Sequence, residues 1–181
     1  MALTHLNTEE LIEKCRNKDE QAQMETYDRY YKAMYNTAFR ILKDSAEAED
    51  IMQESFLTAF LKLPSLEDNK MFGAWLKKIV INASLSALKK RANYYEVTLE
   101  TVDYRLTEEE PENQELVIDK VSTVLETLKE LKDSYSTALS LHYIEGFDYE
   151  EIGQIMGISY ANCRTLLSRA KQSLRKKLEV A

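Results

Sequence analysis

A chain of 181 residues holds one large domain or two small ones, and 4 glycines with 2 prolines are too few for a sandwich or barrel, which turns about every 8–12 residues. Its 44% hydrophobic content supports a core and its 30% charge a wet surface; no run reaches the ~18 apolar residues of a membrane span and no signal-peptide stretch opens the chain, so a cytoplasmic chain without membrane insertion is expected. The net charge of −7 argues against nucleic acid only as an average, because residues 64–95 carry 6 basic and 2 acidic groups and residues 158–181 carry 6 and 1, two cationic islands in an acidic chain.

Asn7 with Glu10 three residues on has the form of a capping box and predicts a short helix over 8–16. Residues 20–42 read as a long helix, with Met24, Tyr27, Tyr31, Met34, Ala38 and Ile41 recurring on one face. Asp44, with Glu47 beyond it, caps a helix over 46–63 whose core side is Ile51, Met52, Phe56, Ala59, Phe60 and Leu63. Glu47, Asp50 and Glu54 form a stripe opposite that core, with Gln53 beside it. Pro64 stops the helix, and 65–70 read as a polar loop. A further helix spans 71–92. Phe72, Trp75, Leu76, Ile79, Val80, Ala83 and Ala87 face inward, while Lys78, Asn82, Leu85 and Lys89 take the opposite face, followed by Lys90 and Arg91.

Periodicity fails over 94–115, an acidic stretch with Pro111 that reads as a flexible linker. It resumes with Val117, Val121, Val124, Leu128 and Leu131. A helix over 134–144 follows and ends at Gly146, a residue that tolerates the left-handed cap. Helices over 148–156 and 160–178 are broken at Gly157-Ile158-Ser159, with Ser159 as the second cap. The expected fold is therefore all-α: two small helical domains, 1–93 and 116–181, joined by the acidic linker, the second with a helix-turn-helix layout. On its last helix Cys163, Leu167, Ala170, Leu174 and Leu178 fall on one side. Ala161, Arg164, Thr165, Ser168, Arg169, Gln172 and Arg175 fall on the other, a face suited to a major groove.

Residues 139–178 resemble the C-terminal region of extracytoplasmic-function sigma factors of the bacterial sigma-70 family. The resemblance rests on Tyr143, Glu145-Gly146, Tyr149-Glu150-Glu151-Ile152, Gly157-Ile158-Ser159 and Ser168-Arg169-Ala170. Residues 46–63 resemble the family's core-polymerase-binding helix, and Trp75-Leu76 with Ile79 and Asn82 its promoter-melting helix. The resemblance implies a subunit that binds core RNA polymerase and directs promoter recognition, melting and initiation. It places Glu47, Asp50, Gln53 and Glu54 against the clamp helices of the largest subunit, and implies a second contact near the polymerase flap. It assigns the minus-ten element, including a base flipped into the loop at 65–71, to Asn69, Lys70, Met71, Lys78, Asn82 and Lys89. It assigns the minus-thirty-five element to Tyr160, Asn162, Arg164, Thr165, Ser168 and Arg169.

The chain departs from the family at three places. Ser86 and Lys89 stand where Asp and Arg are usual, and Lys132 where Pro follows Leu. Tyr160-Ala161-Asn162-Cys163-Arg164-Thr165-Leu166 replaces Glu-Gly-Thr-Val-Lys-Ser-Arg. A different promoter motif accounts for the last change; weak duplex reading compensated by a DNA-bound helper protein is the alternative. An anti-sigma factor is a further candidate partner. Cys15 and Cys163 form neither a disulfide framework nor a zinc motif, His5 and His142 are isolated, and no phosphate loop or paired-His motif is present, so neither metal, cofactor nor catalytic centre is expected. Two other function classes stay open at this level. A stand-alone helix-turn-helix regulator would bind duplex DNA unaided, and a helical interaction module would show no salt-dependent DNA binding.

Overall fold

The computed structural model describes residues 3–98 and 118–179. Among them every regular element is helical: α1 (Thr8–Arg16), α2 (Glu20–Leu42), α3 (Ser45–Lys62), α4 (Phe72–Thr98), α5 (Ile118–Lys129), α6 (Asp133–Leu139), α7 (Tyr149–Met156) and α8 (Tyr160–Leu178). The chain divides into two compact units, Met1–Leu88 and Lys89–Ala181. The segment expected to be a linker, 94–115, is helical as far as Thr98, at the end of α4, and its remainder lies outside the described residues, as does Val117.

Local chemistry sets the helix starts. Asn7 Oδ1 accepts from the Glu10 backbone at 2.9 Å while Glu10 Oε2 accepts from the Asn7 backbone at 3.2 Å, the reciprocal pair anticipated from the sequence. Asp44 Oδ1 accepts from Glu47 N at 2.8 Å and starts α3. Asp148 and Glu151 form a second reciprocal box, at 2.8 and 3.0 Å, and start α7. Each such cap contributes about 1 kcal/mol.

The first unit packs around Leu11, Ile12, Met34, Ala38, Met52, Phe56, Leu63, Phe72, Leu76 and Val80. Tyr27 lies 4.8 Å from Phe56 and Tyr30 packs edge-on to Phe72 at 5.4 Å between ring centroids. Two expectations are corrected here. Met24 is 63% exposed and Tyr31 42%, because the buried stripe of α2 runs instead through Ala22, Thr26, Met34, Thr37, Ala38 and Ile41. Two threonines enter that stripe because their hydroxyls donate to carbonyls one turn back, Thr26 to Ala22 at 2.7 Å and Thr37 to Ala33 at 3.0 Å. Leu85 is likewise buried rather than on the polar face of α4, together with Ile81 and Ser84, so the buried arc of that helix is wider than one stripe.

The second unit buries Leu128, Leu131, Ala138, Leu139, Leu141, Ile152, Cys163, Leu167 and Ala170. Val121, which shares the spacing of Leu128 and Leu131, is exposed. The helix expected over 134–144 changes pitch: α6 ends at Leu139 and Ser140–Ile144 is π-wound, closed by a bond from Glu145 N to Ser140 O at 3.0 Å. Gly146 then takes φ 81° and lets the chain leave.

Candidate functional site

Three surfaces hold the residues that the sequence singles out. On α3, Asp50, Gln53 and Glu54 are exposed and Glu47 is half-buried. Gln53 Nε2 donates to Glu49 Oε1 at 3.3 Å, so the amide is held along the helix beside the carboxylates. Periodicity passed over the continuation of this stripe. Leu57 (66% exposed) and Leu61 (83%) follow Asp50 and Glu54 at steps of three and four residues, so the acidic band runs into an apolar end. The signal was available in the spacing, but exposed leucines carry no charge to mark them. An acidic band with an apolar end suits a basic helical partner, whose charges the carboxylates steer and whose aliphatic side chains the leucines cover.

The second surface is the loop before α4 with the polar side of α4. Lys78, Asn82 and Lys89 are exposed, as is Lys90, while Trp75 is half-buried against Phe72 at 6.1 Å. The indole thus belongs to the first unit's packing, as the inward face required. The loop is more ordered than a polar linker. Leu63–Ser65 and Asn69–Met71 form 3-10 turns, and Leu66 is buried between them. Met71 is exposed, but Asn69 is half-buried and Lys70 Nζ pairs with Glu9 Oε1 at 2.9 Å. Arg16 Nε and Nη2 donate to Asn69 Oδ1 at 3.2 and 3.0 Å, and Nη2 also donates to the Leu66 carbonyl. Arg16 was not anticipated. It lies fifty-three positions from Asn69, and no local pattern links them.

The third surface is α8. Its start is fixed by Ser159, whose Oγ accepts from Asn162 N at 3.2 Å. The turn before it is fixed by Gly157 at φ 70° and by a bond from Ile158 N to Gly153 O at 2.9 Å. A Cβ on Gly153 would stand 2.9 Å from the Ile158 carbonyl, so only glycine allows α7 and the turn to approach this closely. Cys163, Leu167 and Ala170 are fully buried beneath α8. Tyr160, Asn162, Arg164, Thr165, Ser168 and Arg169 are all exposed, as are Ala161, Gln172 and Arg175. Burial beneath α8 and exposure above it leave one face of the helix free to enter a groove about 12 Å wide.

Aromatic rings brace the base of this helix. His142 Nδ1–H donates to the Phe147 carbonyl at 2.9 Å, and the ring touches Tyr143 and Tyr149 at 4.7 and 5.0 Å. Tyr149 in turn reaches Tyr160 at 6.2 Å. The Lys171 ammonium sits 5.7 Å from the Tyr143 ring centre, and its hydrogen bond to the Tyr143 phenol pushes its pKa up. Lys177 Nζ pairs with Glu130 Oε2 at 2.7 Å and ties α8 to the residue that follows α5. That part of the cationic island is structural rather than free.

Comparison with known proteins agrees with this layout. Residues 26–94 match the family model described as Sigma-70 region 2, and residues 122–174 the one described as Sigma-70, region 4. The chain belongs to the extracytoplasmic-function sigma factors of the sigma-70 family. It is 30% identical over 153 residues to the ECF RNA polymerase sigma factor SigM of Bacillus subtilis, covering 83% of this chain and 91% of that one. It is 28% identical over 176 residues to SigW of the same organism, covering 92% and 94%. Its fold is that of the sigma factor RpoE of Bartonella quintana, solved in complex with the anti-sigma factor NepR, at a TM-score of 0.64 and 22% identity over 87% of this chain and 96% of that one.

The sigma factor is thus a transcription initiation factor that binds core RNA polymerase and promoter DNA. Region 2 carries α3 and the loop before α4 and runs along α4 to residue 94, past the boundary between the units at Leu88, whereas region 4 lies within the second unit and carries α7 and most of α8. Among the described residues no helix is long and apolar enough to cross a membrane, and no group of three metal-ligating side chains comes together.

Proposed function

We propose a division of labour between two domains. Residues 1–93 dock on core polymerase and handle the opened minus-ten element; residues 116–181 read the minus-thirty-five element as duplex. In docking, Glu47, Asp50, Gln53 and Glu54 meet the clamp helices of the largest subunit, while the second unit lies toward the flap. In melting, Lys78, Asn82 and Lys89 hold the separated strand by charge and hydrogen bonding, and Asn69, Lys70 and Met71 line the place where an unpaired base arrives. In recognition, Tyr160, Asn162, Arg164, Thr165, Ser168 and Arg169 face the upstream groove. The factor carries out no chemistry of its own; bond formation belongs to the polymerase. It acts in the cytoplasm at the nucleoid, and an anti-sigma factor or a DNA-bound helper protein regulates its access.

The observation that carries this reading is the face of α8: six polar or aromatic side chains stand exposed above a fully buried Cys163–Leu167–Ala170 underside. The docking half is tested by Asp50→Lys with Glu54→Lys. Both side chains are exposed, so the exchange acts on association rather than on folding. Affinity for core polymerase falls about tenfold or more in a pull-down titration while circular dichroism is unchanged, since each close charge pair couples by ~1.5 kcal/mol or more. Undiminished affinity would sink the docking assignment. The whole reading is tested by run-off transcription with purified core polymerase on a promoter library. Sequence-specific binding without polymerase would instead identify a stand-alone regulator.

A further inference from the structure

The loop at 65–71 is short, and its own backbone closes only two 3-10 turns. Such turns do not hold a seven-residue connection in one shape unaided. What holds it comes from α1. Arg16 spans the loop from inside: one guanidinium donates to the Leu66 carbonyl at the loop's entry and, through two nitrogens, to Asn69 Oδ1 near its exit. The Asn69 amide is taken up on its other side, with Nδ2 donating to the Glu9 carbonyl at 3.5 Å and to Glu13 Oε2 at 3.4 Å. Glu13 Oε2 also stands 3.9 Å from Arg16 Nε, and Lys70 reaches Glu9. Around this knot the loop and α1 enclose an open, polar concavity of about 580 Å³, lined by Glu9, Glu13, Arg16, Glu67, Asn69 and Lys70.

We propose that Arg16 is a positioning residue for minus-ten recognition: it fixes the loop's shape from α1, and through that shape sets which base the loop accepts. The inference rests on the reading that this loop receives an unpaired base. It changes the role of Asn69. Both ends of that amide are engaged within the protein, so Asn69 is the post to which Arg16 fastens the loop, and the exposed Met71 is left to meet DNA, with Lys70 joining it only by exchanging its exposed pair with Glu9. A lysine at position 16 keeps the charge and the aliphatic stem but has no fork, so it cannot serve Leu66 and Asn69 together.

The test uses the full-length factor with core polymerase on promoter DNA randomised across the minus-ten element, sequencing the transcribed fraction. Three variants are compared with the parent: Arg16→Ala, Arg16→Lys and Met71→Ala. Met71→Ala alters base preference within the element because it touches DNA. Arg16→Ala, which touches none, flattens preference at the same position by about three- to tenfold, a fraction of what a good base contact discriminates. Arg16→Lys does so more weakly and guards against an alanine variant that fails to fold. Amide hydrogen exchange on the free factor accelerates across 66–71 in both Arg16 variants and stays unchanged in α2 and α3. If Met71→Ala shifts preference and both Arg16 variants keep the parent's, the positioning role is overturned and the loop reading stands. If none of the three moves preference, the loop reading itself fails. An Arg16 variant that initiates less on every sequence alike has only a structural arginine, and that too overturns the proposal.

Discussion

The two surfaces proposed to face DNA are built on opposite plans. On α8 the polar side chains stand outward and the shape beneath them is made by backbone bonds, one serine cap and a buried Cys163–Leu167–Ala170 underside. At the loop before α4 the order is reversed: the polar groups turn toward each other, and a guanidinium from another helix supplies the shape. A helix satisfies its own backbone, so its side chains are free to be read by a partner. A seven-residue loop does not, so part of its polar inventory is spent on holding still. Recognition by α8 should therefore depend on the residues that touch DNA and on the scaffold at its base, whereas recognition by the loop should depend on residues at a distance.

The largest effect expected on the helical side comes from the scaffold. Gly153→Val puts a branched side chain where a single Cβ already stands 2.9 Å from the Ile158 carbonyl. Backbone cannot yield as a flexible side chain does, so the cost lies at the upper end of the ~1–3 kcal/mol of overpacking. Thermal unfolding of the second unit shifts down and transcription from promoters that need the minus-thirty-five element is lost. A Gly153→Val variant as stable as the parent would mean that α7 and the turn have another arrangement.

Next in size is the contrast between the two contacts. Arg164→Ala removes a side chain exposed on α8 and is expected to cost ~1–3 kcal/mol of discrimination, measured as run-off transcription on an ordinary duplex promoter at fixed salt. A template whose minus-ten bubble is already open does not restore it, because the upstream duplex is unchanged. Asn82→Ala with Lys89→Ala acts on strand separation, so the open bubble restores at least part of the loss. Equal rescue of both variants would refute the separation of roles between α4 and α8.

Which parts of this were legible in the sequence follows from range. The caps at Asn7, Asp44 and Ser159 involve partners three residues away, and the structure contains all three. The exposed face of α8 follows from a period of 3.6 and a glycine turn, and every side chain assigned to it is exposed. Periodicity misled where polarity and burial part company. Thr26 and Thr37 satisfy their hydroxyls within α2 and enter the core, and Met24 and Tyr31 turn out to solvent. The π-wound segment at Ser140–Ile144 has no compositional mark. The knot of Arg16 with Asn69 joins residues that only the folded chain brings together, so it could not be read before the helices were placed.

The smallest effect compares the two regions through their thiols. Cys15 lies on α1, one residue before the guanidinium that holds the loop, and Cys163 lies beneath α8; both are buried. Burial pushes both thiols above their ordinary pKa; at Cys15 a contact with Thr26 Oγ1 at 3.3 Å works against that rise and Asp19 adds to it. A thiolate is the reactive form, so both should alkylate slowly at pH 8 in the folded factor and at ordinary rates in urea. The stability consequence has a definite sign. Below the unfolded thiol pKa of ~8.5 both states keep the proton and stability does not depend on it. Above that value the unfolded chain releases the proton first, so the unfolded state gains and stability falls until the folded thiol also ionises. The limiting slope is ~1.4 kcal/mol per pH unit for each thiol. Urea melts at pH 7 and pH 9.5 should therefore differ more for the parent than for Cys15→Ala with Cys163→Ala, the subtraction removing lysine and tyrosine titration common to both. Single variants then divide the effect between regions. In the background of Arg16→Ala, Cys15 should stay as protected as before, because the arginine holds the loop and not the core of α1. Rapid labelling of Cys15 in that background would show that α1 and the loop unfold together, and the contrast between a loop held from outside and a helix held from within would have to be redrawn.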